Sequence, residues 1–333
     1  MEENAIRPSE YREINRKLHD EDIEDLMSKR DEFIYIDCPT CSESKERELF
    51  NKKGFRFVEC NCCKTIFINP RPSVEMLTEF YANSRSMKYW NEVIFPQTEN
   101  NRKNLIVKKR ADRIIDLCNK YNNDLERIVD VGAGFGTFCE VIKDENIFKE
   151  VIAVEPSDPL AKTCLQKNIK TFNMPIEDVS IFNISVMTCF EVIEHLFDPN
   201  DFLRGCHNKL NLGGLLFITT PNIEGFEMSM LMTLPEESYT PNLGGPDHLN
   251  YFSPSSLTKL LENNKFEVLE ILTPGELDVD IVRQKFESEE YDFSQVPIIK
   301  NILMEYKTLG VKFQQFLADN KLSSHMWAVA RKY

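Results

Sequence analysis

Residues 128–138 read Ile128-Val129-Asp130-Val131-Gly132-Ala133-Gly134-Phe135-Gly136-Thr137-Phe138. A run of β-branched residues enters a tight glycine turn, and a helical pattern leaves it. Strand, glycine turn and helix in that order form the ligand-binding corner of a doubly wound α/β sheet. The three glycines permit left-handed dihedrals and let a ligand approach the backbone without meeting a Cβ. A dinucleotide fingerprint needs a further glycine at 137, where this chain has Thr137, so the spacing disfavours NAD.

The neighbouring sequence repeats the same alternation. RIVDV, VIAVE, IKTF, SVMTCF, GLLFITT and FEVLEILT lie between Arg127 and Leu272 at helix-length intervals, and MWAVAR at Met326 to Arg331 supplies a last strand. The pattern predicts a parallel sheet covered on both faces. Apolar residues Val107, Ala111, Ile114, Ile115 and Cys118 recur at intervals of three and four, predicting a one-sided helix over 104–121. Ser253-Pro254 is a hydroxyl cap with proline at the first helical position. VIAVE ends at Glu155, a strand-end carboxylate suited to both hydroxyls of a ribose.

Upstream, Cys38-x2-Cys41 and Cys60-x2-Cys63 are separated by eighteen residues, the spacing of a zinc ribbon. Four thiolates close the coordination shell, so the expected zinc is structural and does not activate water. Cys62 is spare. Cys118, Cys139, Cys164, Cys189 and Cys206 stand among apolar neighbours, as small buried residues do.

The chain has 333 residues, 40 Lys plus Arg and 54 Asp plus Glu, a net charge of −14. That balance disfavours nucleic acid as a partner. Apolar runs such as Gly214 to Ile218 are too short to span a membrane, and the acidic N-terminus lacks a signal-peptide pattern, so a cytoplasmic protein is expected. The expected organisation is an acidic arm or exposed helix over 1–34, a zinc ribbon over 35–72, a helical connector or substrate cap over 73–126, and a binding domain over 127–333. Within the last, the Pro- and Gly-bearing stretch 223–252 reads as a lid.

Taken together, the cysteine pairs with INPRP at Ile68 to Pro72, VDVGAGFG at Val129 to Gly136, AVEPS at Ala153 to Ser157 and CFEVIEHLFDP at Cys189 to Pro199 carry a family resemblance. GPDHLNYFSPSSL at Gly245 to Leu257 and TPGELDVDIV at Thr273 to Val282 add to it. The chain resembles the class I S-adenosylmethionine-dependent methyltransferases, in particular those with an N-terminal zinc ribbon that act on sugars or small molecules. The resemblance implies a seven-stranded Rossmann-like sheet and S-adenosylmethionine as cofactor. Asp130, Gly132, Ala133, Gly134 and Gly136 would surround its methionine part, Glu155 and Pro156 would hold the ribose, Ile176 and Glu177 would flank the adenine, and Phe190 and Glu191 would approach the sulfonium. It departs from the family in lacking the usual acids before the fourth strand, where Asn183 and Ser185 stand, and near the adenine, at Met174 and Pro175.

Methyl transfer to a hydroxyl needs alignment and removal of a proton. His195, in Glu191-Val192-Ile193-Glu194-His195, is the first candidate base, with Glu194 beside it and His248 as the second. Tyr81, Tyr89 and Trp90 are candidate substrate contacts, whereas His19, His207 and His325 have no supporting context. The expected acceptor is a hydroxyl of a sugar or nucleotide-linked sugar in carbohydrate biosynthesis, with Arg71, Arg102 or Arg110 available to its phosphates. A nicotinamide-dependent oxidoreductase and a catalytically silent zinc-ribbon adaptor are the alternatives.

Overall fold

The computed structural model describes residues 3–233, 243–288, 293 and 296–333. Contacts divide the chain into two compact units. The first comprises Met1–Thr98, Pro221–Ser256 and Leu272–Met326, and the second Glu99–Thr220, Leu257–Ile271 and Trp327–Tyr333. The continuous 127–333 domain expected from the sequence therefore supplies both units. Segments 221–256 and 272–326 bring Ile223, Met228, Leu243, Tyr251, Val279 and Leu317 into one core with Ile23, Phe55 and Phe80.

In the first unit, strands β1 (Glu46–Lys52), β2 (Phe55–Cys60) and β3 (Ile66–Ile68) pair antiparallel in sequence order. The second unit's strands are β4 (Arg127–Val131), β5 (Glu150–Val154), β6 (Lys170–Phe172), β7 (Ile184–Phe190) and β8 (Leu210–Pro221). Strand β9 (Asn250–Tyr251) returns to the first sheet beside β3, and β10 (Phe266–Leu272) and β11 (His325–Lys332) complete the second.

The seven strands of the large sheet lie in the order β10-β11-β8-β7-β4-β5-β6, and β6, β5, β4, β7 and β8 run parallel. Chain order reverses at β4, since β5 lies on one side and β7 on the other. A switch point of this kind opens a crevice at the carboxyl ends of the strands. The sheet is buried on both faces, with Val129, Ile152, Val186 and Leu216 inaccessible to solvent, which is why these strands are continuous apolar runs. The predicted helix is present as Lys108–Lys120. The cap at Ser253 is also present, its Oγ accepting the Ser256 N–H at 3.2 Å.

One expectation is corrected. The acidic arm is a helix, Ser9–Met27, but it is not loosely held, because Ile23 and Leu26 enter the core and Asp22 is buried. The Asp22 carboxylate accepts the backbone N–H groups of Arg85 and Ser86 at 3.0 Å each, capping a second helix, Arg85–Tyr89. Burial alone would raise its pKa, but these hydrogen bonds outweigh that and hold it low. Of the expected lid 223–252, residues 234–242 lie outside the described residues. The described remainder carries regular elements. Phe226–Leu231 is a helix, β9 is a sheet strand, and Ile68 N donates to Leu249 O at 3.0 Å.

Candidate functional site

The large sheet positions its site at the ends of β4, β5 and β7. All three loop glycines adopt positive φ, at +74° for Gly132, +55° for Gly134 and +69° for Gly136. Their surroundings differ. A Cβ at Gly132 would lie 2.5 Å from Val192 Cγ2, and one at Gly136 would lie 2.9 Å from Cys164 Sγ, whereas one at Gly134 meets nothing within 4 Å. Gly132 and Gly136 are therefore packing glycines, and Gly134 borders open space at the start of the helix Thr137–Asp144.

Glu155 ties this loop to the end of β5. Its Oε2 accepts Gly134 N–H at 2.7 Å and its Oε1 accepts Ser157 N–H at 2.8 Å. Each oxygen keeps a second acceptor site, so the carboxylate can still receive two hydroxyl hydrogens. Burial raises its pKa, against the two backbone hydrogen bonds. Ala133 is half-buried. Pro156 is exposed, and its carbonyl accepts Asn173 Nδ2 at 3.0 Å. Asp130 is buried beneath the loop and accepts the Thr188 hydroxyl at 2.7 Å. Burial pushes its pKa up to about 7, against that hydrogen bond and the Arg110 charge.

At the end of β7, Glu191 has φ +54° and its Oε1 accepts the Thr219 hydroxyl at 2.5 Å, with Arg110 Nη2 at 3.7 Å. The Arg110 guanidinium lies over the Phe190 ring, 4.8 Å from its centroid, and Phe190 also packs edge-on against Phe138. Burial lowers the Arg110 pKa, opposed by Glu191, Asp130 and Glu194. Glu194 is 1% exposed. Its Oε2 accepts the Thr220 hydroxyl at 3.0 Å, and its Oε1 is buried without a hydrogen bond. Burial, with the charge of Glu191 adding to it, raises the Glu194 pKa well above its ordinary value, against the Thr220 hydrogen bond and the Arg110 charge. His195 ends the short turn Ile193–His195 and is half-buried.

Asp130, the glycine loop, Glu155, Phe190, Glu191, Glu194 and His195 thus share one unit and one end of its sheet. Ile176 and Glu177 occupy a short turn after β6. Ile176 is 2% exposed, and Glu177 is half-buried with its carbonyl accepting Lys209 Nζ at 3.1 Å. His248 belongs to the first unit, where its ring centroid is 6.0 Å from that of Tyr251.

In the first unit, the sulfurs of Cys38, Cys41, Cys60 and Cys63 all lie within 4.8 Å of one another, with Cys38–Cys63 and Cys41–Cys60 at 3.5 Å. The two knuckles share one geometry. Ser42 N donates to Cys38 O and Lys64 N to Cys60 O, and Ser42 and Lys64 both adopt positive φ. Cys38 N and Cys60 N donate to the carbonyls five residues on, at Glu43 and Thr65. A tetrahedral zinc with sulfur ligands at about 2.3 Å sets the sulfurs about 3.8 Å apart, which this cluster fits. Cys62 is exposed and outside the cluster.

Arg71 is not available to a ligand phosphate. It is wholly buried and donates to Ile68 O at 3.1 Å, Leu249 O at 3.3 Å and Asn250 Oδ1 at 3.1 Å. Burial pulls its pKa down to about 9. His19, which had no supporting context in the sequence, hydrogen-bonds Asp247 Oδ2 at 2.7 Å, and Tyr81 OH donates to Asp247 O at 3.4 Å. Sequence reasoning also missed Thr188, Thr219 and Thr220. Their only signal was position, as hydroxyl residues inside otherwise apolar strands.

This sheet order and strand-end loop define the class I methyltransferase fold. A family model described as a methyltransferase domain matches residues 103–271, just over half of the chain, and the chain belongs to that family. Among curated relatives, it is similar to the ubiquinone biosynthesis O-methyltransferase of Coxiella burnetii, 28% identical over 157 residues, which are 44% of this chain and 65% of that protein. The human mitochondrial ubiquinone biosynthesis O-methyltransferase is 29% identical over 156 residues, 43% of this chain and 42% of that protein. The chain thus spans less than two thirds of the length of the relatives it matches. Among solved structures, a SAM-dependent methyltransferase from Archaeoglobus fulgidus aligns over 72% of this chain and all of its own, at 20% identity and a TM-score of 0.46.

Proposed function

We propose that the chain binds S-adenosylmethionine at the ends of β4 and β5 and transfers its methyl group to a hydroxyl oxygen of a small polar acceptor, with a structural zinc in the four-cysteine cage. The observation that carries this reading is the open side of Gly134, held beside Glu155 at a topological switch point. Family membership and the naming of the curated relatives as O-methyltransferases support it.

In this reading Asp130, Gly132, Ala133, Gly134 and Gly136 surround the methionine part, Glu155 and Pro156 take the ribose, Ile176 and Glu177 the adenine, and Phe190 and Glu191 face the reacting group. Bound at this site, the sulfonium supplies an electrophilic methyl carbon and a neutral thioether leaving group. The chain's part is alignment, exclusion of water and acceptance of the hydroxyl proton. His195 first and His248 second are the proposed proton acceptors, with Glu194 beside His195 buried and hydrogen-bonded to the Thr220 hydroxyl.

Two acceptor classes follow. The zinc-ribbon resemblance favours a nucleotide-linked sugar, and the curated relatives favour a precursor in ubiquinone biosynthesis. Titration calorimetry with S-adenosylmethionine, S-adenosylhomocysteine and NAD tests the cofactor, since uptake of NAD alone overturns it. A thermal-shift screen of both acceptor classes with S-adenosylhomocysteine present then ranks acceptors by mass action. Unchanged turnover in both His195→Ala and His248→Ala would show that neither histidine is the base.

A further inference from the structure

We propose that Thr65 is a positioning residue of the four-cysteine cage, its hydroxyl donating to the Cys63 sulfur and keeping that ligand on the metal, with Thr40 orienting it from the other knuckle. The proposal rests on the reading of the cage as a zinc site. Thr65 Oγ1 lies 3.1 Å from Cys63 Sγ and 2.8 Å from Thr40 Oγ1. Thr65 is inaccessible to solvent and Thr40 is 2% exposed, so water does not compete for these contacts. Both cysteines of the second knuckle and both hydroxyls belong to the first unit.

Donor and acceptor chemistry fixes the direction of this chain of groups. A sulfur that ligates zinc is a thiolate and can only accept, so the one hydroxyl hydrogen of Thr65 goes to Cys63 Sγ. The Thr65 oxygen then accepts the hydroxyl of Thr40, which stands between Cys38 and Cys41, and the two knuckles are tied across the cage. The bond is not part of the turn that the knuckles share. Thr65 and Glu43 hold equivalent places, since their carbonyls accept Cys60 N and Cys38 N, but Glu43 turns its carboxylate to Lys45 N at 3.0 Å. Among the described residues, Cys41, the counterpart of Cys63, therefore has no hydroxyl donor, and Cys63 alone has one. Four thiolates outweigh the charge of one Zn²⁺, and a buried donor to one of them offsets part of the excess while fixing where that sulfur points.

The test uses the full chain, with zinc affinity measured by competition against a chromophoric chelator and the cage read independently by cobalt(II) substitution. Thr65→Val removes the hydroxyl at nearly constant volume. It should lower zinc affinity about tenfold and move the thiolate-to-cobalt charge-transfer band to lower energy, because the sulfur lone pair loses the donor that stabilised it. Thr65→Ser should restore both, and Thr40→Val should shift both in the same direction by less. Unchanged affinity in Thr65→Val overturns the proposal. So does a weakened affinity with an unmoved band, or one that Thr65→Ser does not restore, since either assigns the effect to packing. Should Thr65→Val not fold, the band shift in Thr40→Val decides the matter by the same criterion. A parent chain that takes up neither zinc nor cobalt overturns the cage reading and the proposal together, whereas a loaded parent with an indifferent Thr65→Val overturns the proposal alone. These readouts need neither S-adenosylmethionine nor turnover, so they stand or fall separately from the methyltransferase reading.

Discussion

Replacing Gly134 by alanine separates a glycine kept for the ligand from glycines kept for packing. At φ +55° an alanine costs about 1–2 kcal/mol of backbone strain, and with no atom within 4 Å of the new methyl no packing cost is added. For a chain of this size that lowers the melting temperature by only a few degrees, at roughly 2–4 °C per kcal/mol. The methyl does, however, occupy the space assigned to the cofactor. An intruding methyl in a fitted site costs about 1–3 kcal/mol, so affinity for S-adenosylhomocysteine should fall about 5- to 150-fold. Gly132→Ala and Gly136→Ala should behave differently, because their methyls would lie 2.5 Å from Val192 and 2.9 Å from Cys164, and the larger effect falls on stability. Differential scanning fluorimetry and titration calorimetry on the three variants provide both readouts. If Gly134→Ala binds S-adenosylhomocysteine within about twofold of the parent, a change below 0.5 kcal/mol, the open side of the loop is not the cofactor face and the assignment fails.

The remaining predictions concern metal, pH and the buried cations. Elemental analysis should find close to one zinc per chain, lost in Cys38→Ser or Cys60→Ser together with a large drop in melting temperature, and retained in Cys62→Ser. Because burial raises the Asp130 pKa from 3.8 to about 7, the folded state binds more protons than the unfolded one between those values. Its contribution to stability is therefore present below about pH 4 and lost as pH rises to about 7, and Asp130→Asn should flatten that slope in pH-dependent melts. Arg71→Met should destabilise the first unit by roughly 2 kcal/mol in urea titrations, since it removes the buried donors to Ile68 O and Asn250 Oδ1, while Leu249 O keeps the Ile68 N–H. Because burial raises the Glu194 pKa, its contribution to stability is present at low pH and lost as pH rises, so Glu194→Gln should flatten that dependence in pH-dependent melts.

The amino-acid sequence by itself determined the parts of this protein that are written in short-range pattern. Period and β-branching located the strands of the large sheet, the glycine run located its loop, and the paired C-x2-C spacings located the thiolate cage. These features depend on residues within a turn or a strand of one another, so a local reading suffices. Only the tertiary structure decided which distant segments share a unit. It made a short strand at 250–251 the edge of the cysteine-bearing sheet, turned Arg71 inward onto Leu249 and Asn250, and set His19 against Asp247. It also buried one oxygen of Glu194 without a partner and left Gly134 open while closing Gly132 and Gly136. Whether a carboxyl is charged, a cation accessible or a glycine crowded depends on neighbours that the chain brings from tens or hundreds of residues away. No local pattern encodes those neighbours, because they are selected by the packing of whole elements.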